Sequence, residues 1–359
     1  MGVKLQELII KDKIDYSTLE RKIVAVDAPN IIMGLFTFAY KNKSYSQNEL
    51  MTDSSQRVIS HLYGLLFRIN FYYSKKIFPI FCFDGRVPEL KRIVTKDQLN
   101  DFKFTKNWYQ QAIKSKNFDL ARNIASSKEF LWPNIMEESK KLLNAIGVPY
   151  IDSPSSAEAQ CAELVKRKVA HYSNSQDFDS LLFGCPKVLQ NITKSLKRKV
   201  QNKWMYQKVT PISIDLDKNL KALNLSLFQL IDMSILIGTD FFPGITGIGL
   251  KKAFELVKTH ENIETIIKKQ NENYDFSHLS NDKINEIRQI FLFPEVLSEI
   301  SFLRWDIPNP SKIIELTCED HTLNKERVEN NVSKLSKNYL ACKSVFKSKK
   351  LVQKALNLE

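Results

Sequence analysis

Two stretches decide the architecture: Lys22-Ile-Val-Ala-Val-Asp27 and Ile77-Phe-Pro-Ile-Phe-Cys-Phe-Asp84. Each is a short, nearly unbroken apolar run closed by an aspartate. A strand with one wet face alternates apolar and polar residues, whereas a parallel strand covered on both faces does not. Between the two runs, residues 61–76 repeat apolar side chains at helical spacing (Leu62, Leu65, Leu66, Ile69), as the crossover of a parallel pair requires. The order continues with a helix over 135–146 stopped by Gly147, a strand over 148–151, a helix over 155–168, a strand near 169–172 and a helix opening after Asp179. Such alternation predicts a three-layer α/β domain around a parallel sheet.

Two stretches break the alternation. No glycine lies between Gly85 and Gly147, and Pro88 and Pro133 bracket a polar, cationic, helix-compatible stretch. It lacks the apolar stripe of a core helix and is predicted to project from the domain. The second break is an amphipathic helix over 227–238 followed by four of the chain's ten glycines within 238–249. Residues 253–340 read as polar and mostly helical.

Composition bounds the function. Hydrophobic residues make up 43% of the 359, with 22 Phe, which excludes a disordered or fibrous chain. No apolar run approaches the roughly 18 residues of a membrane span. The N-terminus shows no signal-peptide core, and the five cysteines are scattered with no CxxC pair, so neither a disulfide framework nor a thiolate zinc site is expected. These features predict a reduced, soluble, intracellular protein, a monomer with no membrane contact.

The 53 Lys+Arg against 40 Asp+Glu leave a formal charge of +13, which suits a polyanionic partner. The surplus is concentrated. Seven basic and no acidic residues lie from Lys187 to Lys208, and seven more from Lys334 to Lys354. Arg86 to Trp132 holds ten basic against five acidic residues, interleaved with aromatics such as Phe102, Phe104, Trp108 and Tyr109. Cations among aromatics suit phosphates and unpaired bases, although any one run also reads as a solvated face.

Amid these cations stand six carboxylates. Asp27 and Asp84 end apolar strands, and in an open parallel sheet the carboxyl ends of strands line the ligand crevice. Each reads equally as the cap of the next helix. Glu158 follows Ser155 with capping-box spacing. Asp177-Phe-Asp179 sets two acids at i and i+2, on one side of an extended segment, where repulsion is costly without a cation between them. Asp240 precedes the glycine cluster. Oxygen ligands of this kind suit hard divalent ions such as Mg²⁺, and six exceed the needs of one ion, matching a two-metal phosphodiester site. The five histidines show no zinc spacing and read as surface or packing residues.

Gly244-Ile-Thr-Gly247-Ile-Gly249-Leu-Lys251-Lys252 sets glycines at a turn and two lysines at the start of a helix. Glycine permits close backbone approach to a phosphate, and the helix start offers unpaired N–H groups. The pattern reads as a helix-hairpin-helix gripping duplex backbone, or as a plain interhelical turn.

Taken together the motifs resemble the flap endonuclease family of structure-specific 5′ nucleases. The likeness runs over about residues 1–340, through Met1-Gly-Val-Lys, Val24-Ala-Val-Asp27-Ala, Phe81-Cys-Phe-Asp84-Gly-Arg, Gly147 to Ala162, Gln176-Asp-Phe-Asp179-Ser-Leu-Leu-Phe-Gly, Leu236-Ile-Gly-Thr-Asp240-Phe, Gly247-Ile-Gly249-Leu-Lys-Lys and Phe293-Pro-Glu-Val. The resemblance implies an α/β, PIN-like parallel-sheet nuclease core with a helical arch and a helical C-terminal region containing the helix-hairpin-helix. Its divisions fall at 1–100 (N-terminal nuclease region), 86–133 (arch), 134–250 (internal nuclease region), 240–260 (helix-hairpin-helix), 261–340 (helical C-terminal part) and 341–359 (basic tail).

By the same resemblance Asp27, Asp84 and Glu158 hold one Mg²⁺ and Asp177, Asp179 and Asp240 a second, with Mn²⁺ able to substitute. Lys91 and Asp179 belong to the catalytic set. Gly2, Arg68, Lys91, Gly247, Gly249, Lys251 and Lys252 contact DNA carrying a 5′ flap or a single-strand/duplex junction. The implied activity is Mg²⁺-dependent 5′-flap endonuclease and 5′ exonuclease cleavage in replication and repair, in the cytoplasm of an archaeon or the nucleus of a eukaryote. Four departures stand out. Ser156 occupies the place of a second acid in the glutamate motif, Gln98 that of an arch arginine, and Met33 that of a stacking aromatic, while residues 338–350 hold no clear sliding-clamp motif. These departures motivate an alternative, a catalytically weakened paralogue that binds branched DNA. A related RNase is disfavoured by the glycine hairpin.

Overall fold

The two apolar runs are adjacent parallel strands, β2 (Lys22–Asp27) and β3 (Ile77–Phe83), with Asp27 opposite Cys82. The computed structural model describes residues 3–36, 57–86, 128–192, 195–200, 203–301 and 303–347, with isolated positions at 53–54 and between 107 and 120. Gly2, Lys91, Gln98, most of the expected arch and the tail beyond 347 lie outside the described residues.

In chain order the remaining strands are β1 (Asp12–Lys13), β4 (Tyr150–Asp152), β5 (Tyr172–Asn174), β6 (Lys187–Gln190), β7 (Ser195–Val200), β8 (Lys203–Lys208) and β9 (Ile212–Asp215). The helices are α1 (Ala28–Phe36), α2 (Ser60–Ser74), α3 (Lys128–Ile146), α4 (Ala157–Lys166), α5 (Asp179–Leu182), α6 (Leu216–Leu223), α7 (Leu227–Ile237), α8 (Leu250–His260), α9 (Ile263–Gln270), α10 (Asn281–Leu292), α11 (Pro310–Ile314) and α12 (Lys325–Lys347).

The main sheet runs β1-β9-β6-β5-β2-β3-β4. Its centre, β6-β5-β2-β3-β4, is parallel as expected, and β9 and β1 extend it antiparallel, so the sheet is mixed. The chain steps outward from β2 through β3 to β4, then returns by α4 to the other side of β2. The reversal puts a topological switch point between β2 and β5, where ligands of open α/β sheets bind beyond the carboxyl ends of the strands. β2, β3 and β5 have almost no exposed side chain, which explains why they do not alternate.

Three elements differ from the sequence reading. α3 carries Pro133 inside it rather than starting after it, so the helix forgoes the hydrogen bond that an N–H at 133 would make one turn back. The helix after Asp179 is a single turn. The basic run 187–208 holds strand β6 and then a separate two-stranded ribbon, β7 paired antiparallel to β8.

The C-terminal region is strapped to the nuclease core. Trp305 is buried and donates Nε1–H to the Pro79 carbonyl at 2.8 Å, while the Tyr339 hydroxyl donates to the Trp305 carbonyl at 2.9 Å. Near α2 and α3, two buried histidines grip one carboxylate: Glu138 Oε2 lies 2.9 Å from His61 Nε2 and Oε1 lies 3.3 Å from His321 Nε2. Burial alone would raise the Glu138 carboxyl, but hydrogen bonds from His321 and His61 outweigh it and hold it down at about 2. An acid depressed in the folded state contributes stability that is present above its unfolded value and lost as pH falls through the folded one. Thermal melts should therefore show Glu138→Gln less stable than wild type by up to about 3 kcal/mol at pH 7, with that gap closing between pH ~4.5 and ~2. Parallel melting curves for the two proteins over that range would contradict this assignment.

Candidate active site

The six candidate acids are delivered to the carboxyl edge of the sheet by five segments, Asp177 and Asp179 sharing one. Asp27 is the last residue of β2 and is 3% exposed. Asp84 follows β3 and accepts the Ala157 N–H at 2.8 Å, which docks the start of α4 onto the end of β3. Gly85 allows this close approach. A Cβ there would meet the Ser153 carbonyl at 1.8 Å, and its own N–H donates to the Ser155 carbonyl at 2.7 Å.

The capping expectation for Ser155 is not met. Ser155 Oγ donates to the Glu295 carbonyl at 2.9 Å, and Ser156 is the cap of α4, accepting the Glu158 N–H at 3.2 Å. Glu158 is thereby released from capping and lines the cleft. The departure noted at position 156 thus has a local role as the helix cap.

Asp177 and Asp179 also part company. Phe178 between them has helical angles (φ −92°, ψ −5°), so the pair is not extended as expected and the two carboxylates take different partners. Asp177 Oδ2 accepts from Asn30 Nδ2 at 3.0 Å, whereas buried Asp179 accepts the Val3 N–H on Oδ1 at 2.8 Å. This second bond brings the chain start to the site. Asp240 sits in a tight turn closed by the Thr239 N–H donating to the Phe242 carbonyl at 2.7 Å.

Asp84, Glu158, Asp179 and Asp240 line one cleft with Ser156 and Arg86, over an apolar floor that includes Phe183, Phe241 and Phe291. Asp27 and Asp177 stand at the switch point rather than in its lining. Sequence reasoning missed the contribution of α10, whose Phe291 packs edge-on to Phe241 at 5.4 Å between ring centres. An apolar residue in a polar helix gives no local sign of which cavity it will floor. It also missed Ser175 and Asn30, which hydrogen-bond Asp27 and Asp177.

Burial, then the charges of Asp84 and Asp177, raise the Asp27 carboxyl to about 7, although hydrogen bonds from Ser175 and the Asn30 backbone oppose the rise. A carboxylate so placed favours either a proton or a cation. Among the described residues no three acidic, His or Cys side chains stand as a finished metal cage. The donor set is all oxygen and heavily acidic, which fits a hard divalent ion and not a thiolate- or imidazole-bound one.

The expected DNA contacts are placed as follows. Arg68, half-buried on α2, has its guanidinium lowered from its ordinary value by desolvation, and among the described residues no carboxylate pairs with it. The glycine hairpin does join two helices, α7 and α8. Gly247 has φ +87°, and Gly249 caps α8 with no side-chain cap and open space around its α-carbon. Lys251 and Lys252 are exposed in the first turn, Lys252 with Glu255 at 3.7 Å. The hairpin leads directly out of the Asp240 turn. Behind it, Arg288 of α10 donates two buried hydrogen bonds, from Nε and Nη2, to the Asp232 carboxylate of α7 (2.7 Å each), fixing α7 on the C-terminal helices. His61 and His321 are packed as expected, and all five cysteines are free.

Comparison with known proteins places this geometry. Residues 1–100 match the model of the XPG N-terminal domain and residues 147–240 that of the XPG I-region. Flap endonuclease 1 of Nanoarchaeum equitans is 36% identical over 339 residues, covering 94% of this chain and 95% of that protein. Flap endonuclease 1 of Staphylothermus marinus is 37% identical over 356 residues, covering 98% of each. The solved flap endonuclease-1 of Methanococcus jannaschii superposes with a TM-score of 0.71 at 28% identity over 95% of this chain and 99% of that one. The catalytic core of Rad2 in complex with DNA substrate shares the fold, with a TM-score of 0.66 at 21% identity over 90% of this chain and 95% of that one. With its acids gathered at one sheet edge and these relatives matched along nearly their whole length, the chain belongs to the flap endonuclease family.

Proposed function

We propose that the chain is a divalent-metal-dependent, structure-specific nuclease that hydrolyses phosphodiesters in branched DNA, cutting 5′ flaps at the junction and trimming 5′ ends. The observation that carries this reading is the convergence of Asp84, Glu158, Asp179 and Asp240, from four separate segments, on one cleft of a chain whose net charge is +13. An acidic pocket would repel DNA phosphate unless cations reversed the local sign.

Asp27, Asp84 and Glu158, and Asp177, Asp179 and Asp240, are the residues that would hold Mg²⁺ or Mn²⁺ as two sets. When bound, such ions supply Lewis-acid stabilisation of a phosphodiester and of its leaving oxygen. The chain's own groups do the rest. The Val3 N–H orients Asp179, the Ala157 N–H orients Asp84, and the aromatic floor lowers the local dielectric, so charges in the cleft act strongly. Arg68, the Gly247–Gly249 backbone, Lys251 and Lys252 take duplex phosphates without reading sequence. Gly2, next to Val3, and Lys91 on the expected arch complete the contacts. A sliding clamp and the monomeric state remain part of this reading without a motif to carry them. The weakened-paralogue alternative is not favoured, because six of the family's seven acidic positions keep their carboxylate, Ser156 being the exception, and the likeness to flap endonucleases spans nearly the full chain.

An end-labelled 5′-flap substrate with Mg²⁺ tests the reading directly: a product cut at the junction is expected, and tight binding without any product would sink it. In the same assay Asp179→Ala should lower cleavage by at least ~10²-fold while leaving flap affinity in place. Ser156→Glu should remove the α4 cap, costing about 1 kcal/mol in chemical denaturation, yet reduce the Mg²⁺ needed for half-maximal cleavage. A Mg²⁺ requirement identical to wild type would show that position 156 is not a depleted ligand site.

A further inference from the structure

We propose that Ser175 and Asn30 are positioning residues that clamp Asp27 and Asp177 together across the switch point and thereby set the divalent-ion affinity of the site. The proposal rests on the nuclease reading above and assigns it two residues that are not themselves acids.

Ser175 follows β5 and is fully buried. Its hydroxyl donates to Asp27 Oδ2 at 2.8 Å and accepts the Asp177 N–H at 3.2 Å, with Glu158 Oε1 a longer contact at 3.5 Å. A hydroxyl has one proton, and the shorter bond takes it. Asn30, in the first turn of α1, closes the other side. Its backbone N–H donates to Asp27 Oδ1 at 3.2 Å, its Nδ2 to Asp177 Oδ2 at 3.0 Å, and its Oδ1 accepts the Gln176 N–H at 3.1 Å. Both oxygens of Asp27 are thus held, each by a different residue, and the same two residues hold Asp177 by its side chain and its backbone. Three of these bonds, Ser175–Asp27, Asn30–Asp177 and Gln176–Asn30, join the end of β2 and the start of α1 to the segment after β5, across the switch point.

The chemistry of the clamp is specific. Two acids of like charge at this spot repel, and a Lys or Arg between them would quench the negative charge that attracts a cation. A hydroxyl and an amide hold the carboxylates while leaving their charge intact. Partners of this kind, beyond the ligands themselves, orient the ligands, and their loss characteristically weakens metal affinity about 10- to 100-fold. The neighbouring polar residue of β5, Asn174, is used differently: its Nδ2 donates to the Tyr72 hydroxyl at 2.7 Å, inside the core.

Mn²⁺ titrated into the full-length, DNA-free protein, with free Mn²⁺ read by electron paramagnetic resonance, tests this apart from catalysis. Ser175→Ala and Asn30→Ala should each weaken Mn²⁺ binding by about 10- to 100-fold and raise the Mg²⁺ for half-maximal flap cleavage in step. Metal-free affinity for duplex DNA should stay at the wild-type value. Ser175→Thr, which keeps the hydroxyl, should restore Mn²⁺ affinity. A merely structural role would instead lower the melting temperature and leave Mn²⁺ affinity alone, and wild-type Mn²⁺ binding by both alanine variants overturns the proposal. If Ser175→Thr melts early from crowding, Asn30→Ala decides alone, since its site is half-buried and loses volume. Wild-type protein that neither takes up Mn²⁺ nor cuts a flap overturns the nuclease reading as a whole, an outcome distinct from unchanged variants of an active, Mn²⁺-binding wild type.

Discussion

Carboxylates of one sign gathered at one edge of a sheet repel one another, and the repulsion grows as water is removed from between them. The construction around the switch point manages that repulsion. Asp27, the most deeply buried, carries its strain as a carboxyl raised to about 7, while Asp84 is tied to α4 and Asp179 to the chain start. Asp27, Asp84, Asp177 and Asp179 each accept from a neutral N–H or O–H donor. Lys251 and Lys252 stand exposed at the start of α8, whereas Arg86 lines the cleft itself. On the proposed reading the clustered carboxylates serve divalent ions and the exposed lysines serve DNA.

Holding such a site demands stiffness from the elements that deliver it. Five central strands fix the ends of β2, β3 and β5 in register. The C-terminal region then wraps the domain: Trp305 and Tyr339 anchor it beside β3, and Gln160 of α4 exchanges two hydrogen bonds with Leu297 (3.1 and 2.8 Å). Phe291 from the same region floors the cleft. The helical C-terminal part is thus structurally continuous with the nuclease centre, and Asp232–Arg288 fastens the hairpin helix to it.

Much of this was legible before any coordinates. Buried strands announce themselves as unbroken apolar runs because both faces must be covered, so β2 and β3, and the acids that end them, could be read directly. Motif order along the chain carried the family, since five spaced patterns constrain far more than one. Edges were read less well. β9 and β1 are short and antiparallel, and the basic run that holds β6 and the ribbon resembles a solvated face because lysine reports solubility more strongly than strand. The cap of α4 lies one residue beyond the expected Ser155: Ser156 accepts the Glu158 N–H, whereas Ser155 is turned to the Glu295 carbonyl, a partner 140 residues away.

Residue types and spacing place Asp27 and Asp84 at the ends of buried parallel strands, because strands covered on both faces have only one way to bury themselves. Nothing local could establish how the six acids are shared out. The split of Asp177 from Asp179 follows from one helical residue, Phe178, and from partners 147 and 176 positions away, Asn30 and Val3. Ser175 and Asn30 look like ordinary loop residues until the return of the chain across β2 brings β5 beside it. Contacts of that range exist only once the sheet has closed, and they, rather than the motifs, arrange the charge on which the chemistry depends.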